Sequence, residues 1–358
     1  MAVILAARRT AVAPRGGAFA RLRIEDLGAA VLRAVLADAG LAAEAVDEVI
    51  VANALGAGGN PARRVALAAG LPERVAGLTI DRQCAGGLDA ILLARALVDS
   101  GAAEVVVAGG VESYSLRPLR AMPGADGQPV PYDQAPFTPW PARDPEMGAA
   151  AAALADRLGI AGAAQVDWAV QSHARARAVA DWPEIVALSG VTRDAFTREL
   201  TPAVAGRARV VAGSVTAATA AVAADAAALV VVVSDRTAAG RGLRLLGGLT
   251  LGGDPEEPGL VPVAAIAAAL GGLGLRPADL AMAEVMEAYA VQAMACVAGG
   301  GLDPAIVNIG GGALARGHPI GASGAILAVR LFHGLRAGKG LAAIAAAGGL
   351  GTALVVAR

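Results

Sequence analysis

The apolar positions of this chain fall into patterns that recur. From Ile24 to Leu55, "IEDLGAAVLRAVLADAGLAAEAVDEVIVANAL" places apolar residues at helical spacing, then a short polar turn, then the strand-like "VDEVIVANA". From Pro262 to Ala290, "PVAAIAAALGGLGLRPADLAMAEVMEAYA" repeats the order of helix, glycine-containing turn, acidic connector and strand. A second pair follows the first. "CAGGLDAILLARALVDSGAAEVVVAGGVES" begins at Cys84, and "GHPIGASGAILAVRLFHGLRAGKGLAAIAAAGGLGTALVV" begins at Gly317. In each, a reactive residue and a glycine-containing turn precede an apolar helix, a short polar turn and a buried strand. Two pairs in one order predict duplication of an α/β half, with the halves packed face to face and a site at their junction. Chance likeness among α/β segments is the competing explanation.

The stretch between the halves is different. "RAMPGADGQPVPYDQAPFTPWPARDPEMG" is rich in proline and carries Tyr132, Phe137 and Trp140 in a chain with only 3% aromatics. A long irregular stretch of this kind is usually functional. The three rings are expected either as walls of a substrate pocket or as a small core of their own. "QVDWAVQSHARARAVA" then reads as a helix with a polar face, and "ALVVVVS" as a buried strand.

Composition narrows the class. The 358 residues are 56% hydrophobic, contain 47 glycines and carry a formal net charge of −1. The core must therefore come mainly from Ala, Val, Leu and Ile. No basic cluster points to nucleic acid. The apolar windows Thr216–Val233 and Leu341–Ala357 contain Asp225 and several glycines, and fit buried strands better than a membrane span. Two cysteines cannot build a disulfide framework, and the opening "MAVILAARRT" lacks the form of a signal peptide. A soluble, cytoplasmic protein is expected.

Cys84 lies just before a helix, where exposed N–H groups favour a thiolate; a cysteine there is also an ordinary core residue. Gly86 and Gly87 would leave room for a ligand to approach the backbone. His318 sits in the rigid turn "GHPIG", at the place in the second repeat that Cys84 holds in the first. If the halves face each other, the two meet as an activated sulfur nucleophile. His173 and His333, in partly charged helical stretches, read as surface residues. The glycine runs Gly310–Gly312 and "AAAGGLG" (Ala345–Gly351) offer either oxyanion-binding N–H groups or plain turns.

With those residues in view, the chain resembles the thiolases, acyl-CoA C-acyltransferases, over nearly its whole length. "QCAGGLDAI" is similar to the family's nucleophile motif, "AGGVES" to the strand after it, "MGAAAAALADRLGI" to a loop-domain segment near the pocket, and "GHPIGASGA" is the most specific match. The resemblance implies an α/β thiolase fold, a duplicated five-layer αβαβα sandwich with an inserted loop domain. Residues 1–115 and 223–236 would form the N-terminal half, 116–222 the insertion and 237–358 the C-terminal half. It implies CoA thioesters as substrates, no metal or redox cofactor, and a homodimer or tetramer. By resemblance, Cys84 accepts the acyl group and His318 activates it. The backbone N–H groups of Cys84 and Ala347 would form an oxyanion hole. Met147, Glu287, Tyr289 and Ala221 would contact substrate.

Three departures from the family pattern matter. The second cysteine, which exchanges the α-carbon proton, is replaced by Ala345. The family's Asn-Glu-Ala-Phe reads Met286-Glu287-Ala288-Tyr289, so the asparagine that positions a water is lost. A serine toward the pantetheine arm is replaced by Ala221. Cys296 does not align with the missing cysteine and reads as core. The acyl-loading side is thus intact and the carbanion side altered, which favours a changed reaction, with His318 or Glu287 as a substitute base. A non-catalytic thiolase-like subunit that binds acyl groups or supports a partner is the alternative.

Overall fold

A computed structural model describes residues 1–56 and 58–358. The first half runs β1 (Ala2–Thr10), α1 (Ile24–Ala39), β2 (Glu48–Ala52), α2 (Pro61–Ala69), β3 (Leu78–Ile80), α3 (Gly86–Asp99) and β4 (Val105–Glu112). The insertion carries α4 (Met147–Leu158) and α5 (Gly162–Ala178), and the chain returns to the first half with β5 (Ala224–Ser234). The second half has β6 (Leu243–Gly252), α6 (Val261–Gly271), β7 (Leu280–Val285), α7 (Ala290–Gly299), α8 (Ile320–Gly334), β8 (Lys339–Ala346) and β9 (Leu350–Ala357).

The strands run in the order β7-β8-β9-β6-β1-β5-β4-β2-β3. This order is nearly symmetric about its centre. On one side β1–β5 and β5–β4 are antiparallel and β4–β2 parallel. On the other, β6–β9 and β9–β8 are antiparallel and β8–β7 parallel. The two sides pair through Val3↔Arg244 and Ile4↔Leu243. The duplication read from the apolar patterns is therefore present in the strand pairing.

Side-chain alternation sorts the layers. In β5, Ala226, Ala228, Val230 and Val232 face the central core, while Ala227, Leu229, Val231 and Val233 face the outer core with α1. In β8, Ala342, Ile344 and Ala346 face the centre, and Leu341 and Ala343 face the outer core with α6. α3 and α8 both contribute to the central core, between the two halves of the sheet. The layers thus read α1, first sheet, α3 with α8, second sheet, α6. The two membrane-like windows are buried strands and their turns, and among the described residues no helix is long and apolar enough to cross a membrane.

Glycine explains how tightly the central helices cross. A Cβ on Gly87 would stand 2.5 Å from the Ala325 nitrogen, and one on Gly324 would stand 2.6 Å from the Leu88 nitrogen. Bare backbone therefore packs on bare backbone where α3 meets α8. Gly87 serves this crossing and not the approach of a ligand; Gly86 likewise packs against Ala52. The contact brings the two helix starts, and hence Cys84 and His318, together.

The insertion is anchored by buried charge. Arg9 Nη1 of β1 reaches Asp194 Oδ1 at 2.6 Å, and Arg330 Nη1 of α8 reaches Glu184 Oε1 at 2.6 Å. Against the cost of burial, Arg9 and Arg330 hold the Glu184 carboxyl down at about 2. α5 also lies closer to the core than its charged sequence suggests. His173, expected at the surface, is 1% exposed. Its Nδ1 accepts the Arg198 N–H at 3.3 Å, and burial beside Arg198 pulls its pKa down to about 4. His333 is half-buried and bonds the Ala7 carbonyl at 2.8 Å.

Candidate active site

Cys84 lies in a single 3-10 turn, Gln83–Ala85, that feeds α3. Gln83 before it takes a left-handed φ of 48°, a conformation costly for a side chain with a Cβ. Asp81 braces this turn, accepting the Gln83 backbone N–H at 2.7 Å and its side-chain amide at 3.0 Å. From the other half, His318 is held by its own N–H, which donates to the Val222 carbonyl at 2.7 Å. Cys84 Sγ and His318 Nε2 are 3.0 Å apart.

A third residue orients the imidazole. His318 Nδ1 lies 2.6 Å from Ser323 Oγ, and Ser323 Oγ donates to the Pro319 carbonyl at 3.1 Å. A hydroxyl with its hydrogen on Pro319 can only accept from Nδ1–H. Nε2 of a neutral ring then presents its lone pair to the sulfur. Ser323 lies in the motif "GHPIGASGA", but nothing in its spacing from His318 showed that they touch.

Burial sets the resting protonation. The Cys84 thiol is pushed up to about 12 by desolvation, although the N–H groups of Cys84 and Ala347 favour the thiolate. Desolvation pulls His318 down to about 4. At neutral pH the pair is thiol and neutral imidazole. The N–H groups at the helix start favour the thiolate against a larger cost of burial. Those two N–H groups are the ones assigned to an oxyanion hole by resemblance, and both bear on the sulfur.

Glu112 ties the surrounding loops together. It accepts the N–H groups of Ala54 and Gly321 at 3.0 Å each and the Asn53 side-chain amide at 2.8 Å. Burial raises its carboxyl to about 7 against the pull of those backbone donors. It thereby fixes the start of α8 to the loop after β2.

Cys84 and His318 open on a cavity of about 820 Å³. Met147, Tyr289, Ala221, Ala345 and Ala347 line it as well.

The two parts of the chain match two family models: residues 2–236 the thiolase N-terminal domain, and residues 244–358 the thiolase C-terminal domain. The chain belongs to the thiolase family. It is 38% identical to a putative acetyl-CoA C-acetyltransferase of Bacillus subtilis, over 99% of this chain and 98% of the relative. It is 39% identical to the acetyl-CoA acetyltransferase of Cupriavidus necator, over 99% of each. Among solved structures it resembles the Bacillus anthracis acetyl-CoA acetyltransferase, with a TM-score of 0.90, 31% identity and 99% and 98% of the two chains covered. It also resembles an Ascaris suum thiolase in complex with coenzyme A, with a TM-score of 0.92, 29% identity and 100% and 99% covered.

Several thiolase positions lie elsewhere than the sequence suggested. Glu287, expected to contact substrate or act as base, is 1% exposed and is not part of the cavity wall. Ser172 Oγ donates to it at 2.7 Å, Asn308 Nδ2 at 2.9 Å, Trp168 Nε1 at 3.1 Å and the Leu314 N–H at 3.2 Å. Four donors thus hold this carboxylate away from the cavity wall. Met286 is also buried, in the central core, and does not reach the cavity wall. Gly310–Gly312 form no oxyanion site at the cavity: the Gly312 N–H donates to Ser172 Oγ at 2.9 Å. Of the three rings in the insertion, Phe137 lines the cavity; Tyr132 and Trp140 do not. Cys296, expected as core, is buried, with Gln292 Nε2 at 3.3 Å.

The cavity contains carboxylates, but each is engaged. Asp81 braces Gln83, Asp133 pairs with Arg117 at 2.7 Å, and Glu146 caps α4 through the Ala149 N–H at 2.9 Å. Glu256 pairs with Arg143 at 2.9 Å and Glu257 with Arg157 at 3.0 Å. At position 345 the cavity wall offers a methyl group.

Proposed function

We propose that this thiolase-family acyltransferase takes an acyl group from a CoA thioester, or from a carrier-bound thioester, onto Cys84 and releases it through an altered second half-reaction. The 3.0 Å contact between Cys84 Sγ and His318 Nε2 carries the reading. In the loading step the thiol proton passes to His318 Nε2 and the sulfur bonds to the thioester carbonyl carbon. The bond from that carbon to the CoA sulfur breaks, and His318 returns the proton to the departing thiol. The N–H groups of Cys84 and Ala347 are suited to the charge on the carbonyl oxygen. Coupled proton transfer suits a neutral pair, because neither partner is charged until the substrate arrives.

The second step is altered because no free base replaces the missing cysteine. Every carboxylate of the cavity wall has a structural partner, and Glu287 is turned away. Acceptors that need no α-proton removed fit this site: the thiol of CoA, water, an amine or an alcohol, or a carbanion made by decarboxylation. His318 alone remains as a base for ordinary Claisen condensation. Met147 and Ala221 are assigned to the substrate path; Ala221 brings no hydroxyl to the pantetheine arm, and its N–H already donates to the Ala288 carbonyl at 2.9 Å.

Homodimers, or tetramers built from them, are part of the proposal. The short edge strand β3 supports it, with Leu78 45% exposed at an open sheet edge. A cytoplasmic setting suits the two free cysteines. The chemistry proposed needs no group beyond the CoA thioester.

The test is intact-mass measurement after incubation with a panel of acyl-CoAs and carrier-protein thioesters. An adduct on the natural chain, absent from Cys84→Ala, is the expected result. No adduct with any donor overturns the proposal and favours a non-catalytic subunit, the reading to which Met286 and Ala345 lend support.

A further inference from the structure

Two phenols share the cavity with the nucleophile, and the mechanism above uses neither. Tyr114 follows β4 and Tyr289 precedes α7, so they come from different halves of the molecule, yet both line the cavity with Cys84. Both are half-buried. Neither side-chain hydroxyl makes a hydrogen bond among the described residues, and neither is sealed from the cavity. The Arg117 guanidinium lies over the Tyr114 ring, 5.8 Å from its centroid, and binds the ring face while leaving the hydroxyl unused. Tyr289 is anchored by its backbone, which bridges to Ala220. Relative to the Phe of the family motif, Tyr289 adds only a hydroxyl.

A phenol in a cavity wall needs a partner when a substrate displaces water from it. A purely alkyl acyl chain has none to offer, so seating it would strip both hydroxyls of water without replacement. A site built to bond a substrate oxygen discriminates against the analogue that lacks it. We infer that Tyr114 and Tyr289 are specificity-determining residues and that the preferred donor is an acyl thioester bearing a hydroxyl on its chain. This rests on Cys84 being the acyl acceptor. It adds the class of acyl group, which neither Cys84 nor His318 specifies. The simpler alternative is that both rings are apolar wall and their hydroxyls stay in water throughout.

The experiment compares the rate of Cys84 acylation by butyryl-CoA with that by 3-hydroxybutyryl-CoA and 4-hydroxybutyryl-CoA, followed by intact mass. The natural chain should load at least one hydroxylated donor about tenfold faster than butyryl-CoA, the scale of one neutral hydrogen bond gained. That ratio should collapse toward one in Tyr114→Phe or in Tyr289→Phe, each of which keeps the ring and removes only the hydroxyl. A misfolded variant would slow all three donors together and leave their ratio in place. Equal rates for all three donors in the natural chain, or a ratio unmoved in both variants, overturns the inference while leaving acyl transfer through Cys84 standing. Absence of any adduct overturns both.

Discussion

The two sides of Cys84 are furnished differently. On one side the sulfur has His318 at 3.0 Å, His318 has Ser323 at 2.6 Å, and Ser323 has the Pro319 carbonyl at 3.1 Å. Each member is oriented by the next, as a nucleophile and its base require. Elsewhere on the cavity wall stands Ala345, a methyl group, while Met286 is packed into the central core. Neither of these two side chains gives or takes a proton. Forming an acyl-enzyme uses the first side alone. In the proposed function, making a carbon nucleophile from an unactivated acetyl group would need a proton acceptor where Ala345 has none. A shared fold does not by itself fix the whole reaction.

Substitutions can break or sharpen this contrast. His318→Ala should have the largest effect, slowing Cys84 acylation by on the order of 10²–10⁴-fold, measured by intact mass under single turnover. A loss under tenfold would place the base elsewhere. Ala345→Cys should raise acetoacetyl-CoA thiolysis by on the order of a hundredfold. No gain would mean that the absent base is not what limits this reaction. Ser323→Ala should slow loading about tenfold by freeing the imidazole, and Ser323→Thr should restore part of it. The resting pair offers a pH test of smaller scale. Because the thiol is pushed up to about 12, alkylation of Cys84 by iodoacetamide should rise continuously from pH 7 to 10. A plateau below pH 8 would reveal a thiolate–imidazolium pair instead.

Much of the fold was legible because the duplication is written in local apolar periodicity. The helix-to-strand order of residues 24–55 recurs at 262–290, and the two stretches occupy equivalent places in the sheet order. Cys84 and His318 were legible for the same reason: each precedes the central helix of its half. What escaped depends on contacts between distant segments. Gly87 was read as room for a ligand, but what it faces is Ala325 of the opposing helix. Glu287 adjoins cavity residues in sequence, yet the backbone turns its side chain toward Trp168, Ser172 and Asn308. His173 sits among arginines, but α5 packs that face against Phe196, with ring centroids 5.8 Å apart. Tyr114 carried no signal beyond its position after "AGGVES"; only the cavity brings it beside Tyr289.

The central claim is that this site loads an acyl group with no base besides His318 to serve the α-carbon. Incubation with acetyl-CoA in D₂O tests it in one sample, following the Cys84 adduct by intact mass and α-deuterium in the recovered acetyl-CoA. The adduct should form with the α-hydrogens retained. Deuterium entering the acetyl group as fast as Cys84 is acylated would contradict the account.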